Sequence, residues 1–339
     1  MKDRKKVLEV KNLQTSFFTD DGIIPSVDFI DFHVKEGEIL GIVGESGCGK
    51  SVTSLSIMGL VPSPPGKITS GEILYRGKDL TKLSEQEMRN VRGNEVAMIF
   101  QEPMTSLNPL FTIGDQLIEA IKLHKKGWRK KQIYARAVEM LKLVGLPRAE
   151  ELMKDYPHQL SGGMRQRVMI AMALVCDPQV LIADEPTTAL DVTIQAQILK
   201  LMRELNERLD TAVILITHDL GVVAETCERV VVMYAGKIVE EGSVETIFTN
   251  PQHPYTKGLI SSVPDMRFKK QRLYSIPGNV PKPGTIKQGC RFAARCESVF
   301  ERCTVENPPL YETSEGHQTR CFLYDAKEVG VHDKTAATS

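Results

Sequence analysis

The chain has 339 residues, 42% of them hydrophobic, and its 43 lysine and arginine residues balance its 43 aspartate and glutamate residues. This length allows two or more domains, and the apolar fraction is sufficient for a normal globular core. Because the net charge is zero and only 6% of the residues are aromatic, the composition excludes an electrostatic basis for nucleic-acid binding.

The N-terminal stretch MKDRKKVLEV is positively charged but lacks the apolar core of a signal peptide. No apolar run reaches membrane-spanning length, since the longest, residues 168–176, is followed by Asp177 and Pro178. We therefore predict a soluble, cytosolic protein that acts on a membrane only through a partner.

Three strands are predicted at the start of the chain. Residues 7–18 alternate apolar and polar side chains, which predicts a strand at the edge of a sheet. A turn signal at residues 20–22 separates them from a second strand at residues 26–34. Residues 38–43, EILGIV, predict a third strand that is buried on both faces.

A phosphate-binding loop follows directly, because residues 44–51 read GESGCGKS, the form G-x-x-x-x-G-K-S between a strand and a helix. Glycines let the backbone curl so that its N–H groups point at phosphate oxygens, and the helix N-terminus adds a positive dipole end. Lys50 is placed for the β- and γ-phosphates and Ser51 for Mg²⁺. The predicted contacts to a nucleoside triphosphate are Gly44, Glu45, Ser46, Gly47, Cys48, Gly49, Lys50, Ser51 and Val52.

The middle of the chain combines buried strands with helices. Residues 95–101, EVAMIFQ, predict a strand that ends in Gln101. Helical spacing at residues 115–123 and 132–143 predicts a small helical insertion over about residues 104–160. Strands and helices then alternate, which indicates a parallel sheet with ligands at the carboxyl ends of its strands. The predicted strands are residues 179–183, 212–217, 230–234 and 237–241.

Two of these strands end in residues that suit catalysis. Asp184 and Glu185 follow an apolar strand, and neighbouring strand residues point to opposite sides. Asp184 is therefore predicted to bind Mg²⁺, and Glu185 to orient or deprotonate an attacking water. Gln101 and His218 also end apolar strands, where either side chain could orient water or contact a γ-phosphate.

The composition changes after about residue 249, where prolines recur and four cysteines cluster at Cys290, Cys296, Cys303 and Cys321. We predict a small accessory domain here, and a frayed tail after residue 325. Clustered cytosolic thiols suggest a metal site, but their spacing leaves both zinc and an iron–sulfur cluster open, with His317 able to replace one ligand in a Cys₃His zinc site. Cys48, Cys176 and Cys227 are interpreted as packing or loop residues.

The motifs GESGCGKS, Gln101, LSGGMRQR at residues 160–167, LIADEP at residues 181–186, Ala189-Leu190-Asp191 and Thr217-His218-Asp219 occur in an order that resembles the ABC ATPase family, over about residues 7–250. The resemblance implies a P-loop NTPase cassette of α/β class, in which a RecA-like core carries an antiparallel β-subdomain and the helical insertion. We therefore expect domains at 1–262 and 263–325, the second being the small Cys-rich metal-binding domain, and a disordered tail at 326–339.

The resemblance also implies roles for single residues. Phe17 would stack on adenine, Gln101 would link Mg²⁺ and water to a transmembrane partner, and His218 would contact the γ-phosphate. Ser161, Gly162 and Gly163 would cap the ATP of an opposite subunit, and Asp191 would lie at the interface between subunits. Two cassettes would thus enclose two nucleotides, closing with ATP and separating after hydrolysis. Met164 departs from the glutamine that is common after LSGG.

Residues 101–109, QEPMTSLNP, and 251–264, PQHPYTKGLISSVP, resemble the ATPases of oligopeptide and dipeptide importers, with nickel importers as close relatives. The four-cysteine segment resembles the C-terminal extension of that subfamily, which implies a [4Fe–4S] cluster of structural role on all four cysteines, with zinc as the alternative. The implied partners are a second, different ATPase subunit, two transmembrane permeases and, indirectly, an extracytoplasmic peptide-binding protein.

The implied location is the cytoplasmic face of the membrane. In the alternative hypothesis the transported solute is nickel or another small molecule.

Two other classes of function compete with transport. A soluble ABC protein acting on DNA or ribosomes usually has two cassettes or long coiled coils, whereas this chain has one phosphate loop and no long heptad run. A metal or redox sensor would use the cysteine segment to regulate ATP turnover.

Overall fold

An eight-stranded sheet forms the centre of the computed structural model, which describes residues 4–101, 106–188, 190–263 and 274–325. Its strand order is β11-β12-β10-β9-β3-β8-β7-β6. The strands are β3 (Ile39–Val43), β6 (Val96–Ile99), β7 (Val180–Asp184), β8 (Ala212–Thr217), β9 (Arg229–Tyr234), β10 (Lys237–Ser243), β11 (Tyr311–Ser314) and β12 (His317–Thr319).

The five strands from β9 to β6 pair in parallel, which confirms the predicted α/β class. Every residue of β3, β7 and β8 is buried, because helices pack on one face of these strands while apolar side chains of residues 7–34 and 57–58 pack on the other. Because these strands share a direction, their carboxyl ends meet at one edge of the sheet, and the residues that follow them lie close together.

A second, antiparallel sheet has the order β2-β1-β4-β5. Its strands are β1 (Lys6–Thr19), β2 (Gly22–Lys35), β4 (Gly66–Tyr75) and β5 (Lys78–Asp79). The prediction that residues 7–18 form an edge strand is wrong, because β1 pairs with β2 on one side and with β4 on the other. Alternation indicated that one face of β1 is buried, but it does not report how many neighbours a strand has.

The helices lie alongside the parallel sheet, and three of them pack against one another in a lateral group. They are α1 (Lys50–Ile57), α2 (Glu85–Val91), α3 (Ile113–His124), α4 (Lys130–Leu143), α5 (Ala149–Leu152), α6 (Gly162–Leu174), α7 (Val192–Leu209), α8 (Leu220–Thr226), α9 (Val244–Thr249), α10 (Pro254–Ser261) and α11 (Glu301–Val305). Ile121 of α3, Leu141 of α4 and Ile170 of α6 belong to one hydrophobic cluster that reaches Leu215 of β8. Helices α3, α4 and α6, the lateral helices, are therefore packed onto the core. None of the described helices combines the length and apolarity needed to cross a bilayer.

The C-terminal segment is joined to the cassette through the sheet itself. β12 pairs with β10, and Arg291 bonds with both Asp28 of β2 and the carbonyl of Ala235. The predicted boundary at residue 262 stays a prediction. Other predictions lie outside the described residues, namely the disordered tail at 326–339, Ala189, residues 102–105 of the QEPMTSLNP segment and residues 264–273 of the extension.

Glu240 of β10 anchors this junction. Its Oε1 accepts the backbone N–H of Gln252 at 2.6 Å and lies 2.8 Å from Nε2 of His317, while its Oε2 accepts the N–H of His253 at 2.9 Å. Glu240 has no solvent exposure and His317 is only 2% exposed. A buried carboxylate with three partners holds two segments against the sheet, because losing it would leave all three partners unpaired.

Glu240→Ala should lower the free energy of unfolding by about 3–5 kcal/mol, since it leaves two backbone N–H groups and an imidazole buried without partners. Urea unfolding followed by circular dichroism measures the change. Glu312→Ala, at an exposed position of β11, is the control and should stay within about 0.5 kcal/mol of the wild type. Equal losses in the two variants would contradict the anchoring role.

Candidate active site

The loop of residues 44–49 connects the buried strand β3 to helix α1 in a conformation that requires glycine. Gly44 has φ of 154° and Gly49 has φ of 105°. A Cβ atom at Gly44 would lie 2.2 Å from the carbonyl oxygen of Met233, and one at Gly49 would lie 2.5 Å from that of Ser26. Neighbouring backbone therefore encloses the loop on two sides and fixes its curvature.

Lys50 begins helix α1 and lies over the loop. Its buried ammonium donates hydrogen bonds to the carbonyl oxygens of Gly44, at 2.7 Å, and Glu45, at 3.3 Å. Gly49 is the N-cap of α1 and supplies no side-chain cap, so the first amides of the helix remain without a side-chain acceptor there. A cation and helical N–H groups thus face one concavity, which suits a polyphosphate.

Asp184 ends strand β7 beside α1 and is only 3% exposed. Ser54 donates a hydrogen bond to its Oδ2 at 3.4 Å, whereas Oδ1 has no hydrogen-bond partner within the described part of the chain. Burial and the negative charge of Glu185 raise the pKa of Asp184, while a hydrogen bond from Ser51 and the charge of Lys50 oppose the rise. A buried carboxylate with a free oxygen next to a hydroxyl fits a divalent cation.

Three polar side chains contact the carboxylate of Glu185, and two of them, Gln101 and His218, are predicted site residues. Its Oε2 accepts hydrogen bonds from Thr188 Oγ1 at 2.9 Å and from Gln101 Nε2 at 3.3 Å, and its Oε1 lies 3.3 Å from Nδ1 of His218. Its backbone has φ of 48°, which is uncommon for a residue with a side chain and turns the carboxylate away from the direction of Asp184. Gln101 itself lies beyond the end of β6 at Ile99, not within the strand as predicted.

Burial would raise the pKa of Glu185, but hydrogen bonds from Thr188 and His218 and the charge of Lys50 outweigh it and lower that pKa below its usual value. Glu185 is therefore ionised at neutral pH. A carboxylate fixed by three side chains can hold one water molecule in a set orientation.

The LSGG motif lies at the start of helix α6. Ser161 is the N-cap, and its hydroxyl accepts the N–H of Met164 at 3.4 Å. Gly163 faces α7, because a Cβ there would be 3.0 Å from Cγ2 of Ile194. The structure thus puts Ser161, Gly162 and Gly163 at a helix N-terminus of their own, a second place that favours anions.

The two remaining predicted residues lie at other positions. Asp191 is the N-cap of α7 and accepts the N–H of Ile194 at 2.9 Å, and its neighbour Val192 is 83% exposed. Phe17 is half-buried in β1 opposite Ile24. The assignments of Asp191 to a subunit interface and of Phe17 to adenine stacking stay predictions.

Sequence reasoning missed several residues of this region. Thr188 holds Glu185, and Gln166 of α6 donates to the carbonyl of Pro186 at 2.5 Å, which ties the LSGG helix to the loop after Glu185. Tyr255 and Arg295 contact the phosphate loop from the far end of the sequence. The spacing of three residues after Glu185 was a usable signal for Thr188. Gln166 lies in LSGGMRQR and Tyr255 in PQHPYTKGLISSVP, but neither motif assigned a role to it, and no local signal marked Arg295.

The four C-terminal cysteines line one small cavity and carry free thiols. Burial raises the pKa of Cys290 to about 11 and that of Cys321 to about 12, and the neighbouring cysteines add to both rises. Within the described ranges no group of three or more His, Cys, Asp or Glu side chains is arranged to hold a metal ion. His317 pairs with Glu240 instead, which removes one of its two ring nitrogens from any metal.

Comparisons with known proteins agree with this geometry. A family model described as "ABC transporter" matches residues 27–188, and one described as "Oligopeptide/dipeptide transporter, C-terminal region" matches residues 239–303. The oligopeptide transport ATP-binding protein AppD of Bacillus subtilis (strain 168) is 55% identical over 94% of this chain and 97% of its own length. The dipeptide transport ATP-binding protein DppD of the same organism is 53% identical over 95% and 96%.

Among solved structures, the chain is similar to the ATP-binding cassette MJ0796, described as a dimer in a post-hydrolysis state bound to ADP and Pi. The identity is 31%, the TM-score is 0.62, and the match covers 70% of this chain and 98% of that one.

Glu185→Gln should lower ATP turnover by about 100-fold or more while leaving Mg²⁺-dependent ATP binding within about twofold, because the amide keeps the shape of the carboxylate but cannot accept a proton. Release of inorganic phosphate and binding of a fluorescent ATP analogue are measured side by side. Glu204→Gln, on the exposed face of α7, is the matched control. If the Glu185→Gln variant still hydrolyses ATP at the wild-type rate, Glu185 is not the base that deprotonates the attacking water.

Proposed function

The chain belongs to the ABC transporter ATP-binding proteins, in the oligopeptide and dipeptide branch, and we propose that it binds and hydrolyses ATP to power the import of di- and oligopeptides. The observation that carries this proposal is the grouping of Gln101, Thr188 and His218 around the Glu185 carboxylate, next to a phosphate loop and a buried aspartate. Such a group is arranged for water attack on a terminal phosphate.

The proposed chemistry follows from these positions. Lys50 and the loop amides would hold the β- and γ-phosphates, and Asp184 and Ser51 would hold Mg²⁺, which would supply positive charge against the phosphate oxygens. Glu185 accepts a proton from the water whose oxygen attacks the γ-phosphorus, as the bond from that phosphorus to the ADP oxygen breaks. His218 and Gln101 hold the carboxylate in place, and in this proposal they would also contact the γ-phosphate or the water. Phe17 would stack on the adenine.

We propose that the ATP on this chain is completed by a second cassette. Ser161, Gly162 and Gly163 form a separate helix N-terminus with the polarity needed for the phosphates of an opposite subunit. The exposed Val192 beside Asp191 offers apolar contact area at the proposed junction. The dimeric description of the related cassette MJ0796 supports this arrangement. The second cassette is proposed to be a different chain.

The proposed membrane partners are two permease subunits, fed by an external peptide-binding protein, with this chain on the cytoplasmic face. An apolar cavity between the core and the lateral helices supports a docking site for a permease. Met58, Met98, Phe100 and Leu107 are among its lining residues. Leu110, which lies along the chain between β6 and α3, is 80% exposed. The names of the relatives AppD and DppD support peptides as the cargo.

For the C-terminal segment we propose a [4Fe–4S] cluster held by Cys290, Cys296, Cys303 and Cys321, with zinc as the alternative. The support is that four free thiols line one cavity, although their present arrangement is not that of a metal site. Bound metal would replace four thiol protons and cross-link a segment with little apolar core. The pairing of His317 with Glu240 favours four cysteine ligands over a Cys₃His site.

Lys50→Ala and Ser161→Arg should disable different nucleotide sites in the assembled transporter. In the complex captured from membranes through a tag on this chain, photolabelling of this chain by 8-azido-ATP should be lost with Lys50→Ala and retained with Ser161→Arg, while both variants lose peptide uptake in proteoliposomes. Ser314→Arg, at an exposed position of β11, is the control. Loss of labelling on this chain in the Ser161 variant would show that one chain builds its own site, and peptide uptake unaffected by Lys50→Ala would exclude the transport role.

Cys303→Ser should remove bound metal and lower the melting temperature, while Cys176→Ser, at a buried cysteine in another part of the fold, should leave the metal content unchanged. Protein purified without oxygen is measured by broad visible absorbance, by iron and sulfide content and by calorimetry. The proposal predicts four irons per chain. Stoichiometric zinc without visible absorbance would replace the cluster by the zinc alternative, and metal-free protein of unchanged stability would exclude both.

A further inference from the structure

Arg295 of the C-terminal segment reaches directly into the phosphate loop. Its Nη1 donates to Glu45 Oε2 at 2.7 Å and its Nη2 donates to Glu45 Oε1 at 3.1 Å, so that guanidinium and carboxylate meet through two parallel hydrogen bonds. The arginine side chain is only 5% exposed. The Glu45 side chain is 30% exposed, so the pair is partly withdrawn from solvent and is less screened than an ordinary surface pair.

The guanidinium is itself fixed in place by its surroundings. Its Nε donates to the carbonyl of Pro277 at 2.8 Å and its Nη2 also reaches the carbonyl of Ile276 at 3.3 Å. Its Nη1 bonds to the hydroxyl of Tyr234 at 3.3 Å, and the group lies 5.9 Å from the ring centroid of Phe292. With so many contacts, Arg295 has one available position, and that position faces Glu45.

A second residue from the same end of the chain holds the backbone of Glu45. The hydroxyl of Tyr255 accepts the N–H of Glu45 at 2.9 Å. Tyr255 is fully buried in a ring cluster, 4.6 Å from Tyr234 and 5.5 Å from Phe292 between ring centroids. Both the main chain and the side chain of Glu45 are thus held by residues beyond position 250.

Glu45 is the one acidic residue in GESGCGKS. A carboxylate in a loop that surrounds a triphosphate repels the ligand unless a nearby cation balances it. Arg295 balances this charge and holds the carboxylate through two hydrogen bonds.

We propose that Arg295 is a positioning residue for ATP, which neutralises and orients Glu45 so that nucleotide affinity depends on the folding of the C-terminal segment. The inference rests on the proposed binding of phosphates by residues 44–51. Arg295 ends a single 3₁₀ turn, Ala293–Arg295, and Cys296 is the next residue, so this side chain links the cysteine-bearing segment directly to the phosphate loop. Disorder of that segment would release the arginine and expose the bound phosphates to an unbalanced carboxylate.

The test compares Arg295→Met, Glu45→Gln and the double variant in the full-length chain, by binding of a fluorescent ATP analogue with Mg²⁺ at low salt. Arg295→Met should weaken binding about fivefold, and the deficit should shrink at high salt because screening weakens the repulsion. The double variant should return to within about twofold of the wild type, since the repelling charge has also gone. Glu45→Gln alone should bind at least as tightly as the wild type.

Arg302→Met is the matched control. This arginine lies in the same segment but pairs with Glu306 and Asp325, so its loss should leave nucleotide affinity unchanged. Melting temperatures are recorded for each variant. If Arg295→Met fails to fold, Arg295→Gln takes its place. It removes the charge but keeps hydrogen-bond donors, and the inference requires it to bind the ATP analogue more weakly than Arg295→Lys, which keeps the charge.

Wild-type affinity in a folded Arg295→Met chain would overturn the inference. A double variant that binds as weakly as Arg295→Met would also overturn it, because Arg295 would then have only a structural role that does not depend on the charge of Glu45. Lys50→Ala separates this failure from a failure of the proposed function. If Lys50→Ala abolishes binding while Arg295→Met has no effect, only the inference falls. If Lys50→Ala has no effect, residues 44–51 do not bind the phosphates and the inference falls with that assignment.

Discussion

The close approach of backbone carbonyls to the phosphate loop is the constraint on which the rest of the site depends. Met233 of β9 and Ser26 of β2 leave no room for a Cβ atom at Gly44 or Gly49, so the loop can take only the curled path that directs its amides inward. One carbonyl comes from the parallel sheet and the other from the antiparallel sheet. The nucleotide site therefore forms only when both sheets have assembled.

The parallel strands bring the chemistry to the loop. β3, β7 and β8 are adjacent and end at one edge, so Lys50, Asp184 and His218 meet although they are far apart along the chain. The positive φ of Glu185 then directs its carboxylate away from its neighbour Asp184. A buried acid with a free oxygen and an ionised acid held by three side chains are thus obtained from two consecutive residues, one suited to a cation and one to water.

The fold and the centre of the site were predictable because both depend on patterns within short segments of the sequence. Apolar strands that end in polar residues indicated the parallel sheet, and the carboxyl-end rule placed Gln101, Glu185 and His218 together. Strand order was not readable, as the edge assignment of β1 shows, because alternation reports burial and not neighbours. The contacts of Arg295 with Glu45 and of Glu240 with His317 were also not readable, since they join residues 250 and 77 positions apart and no local period encodes such pairs.

The central claim is that this chain carries half of a catalytic site, with its LSGG motif serving another chain. The most direct measurement is ATP turnover against protein concentration, with the oligomeric state followed by analytical ultracentrifugation in the same samples. The account predicts that the monomer binds MgATP without turnover, and that hydrolysis appears only in samples that contain a cassette dimer, whether of two copies or with a second ATPase added. Full turnover per chain by a monomer, unchanged on dilution, would contradict it.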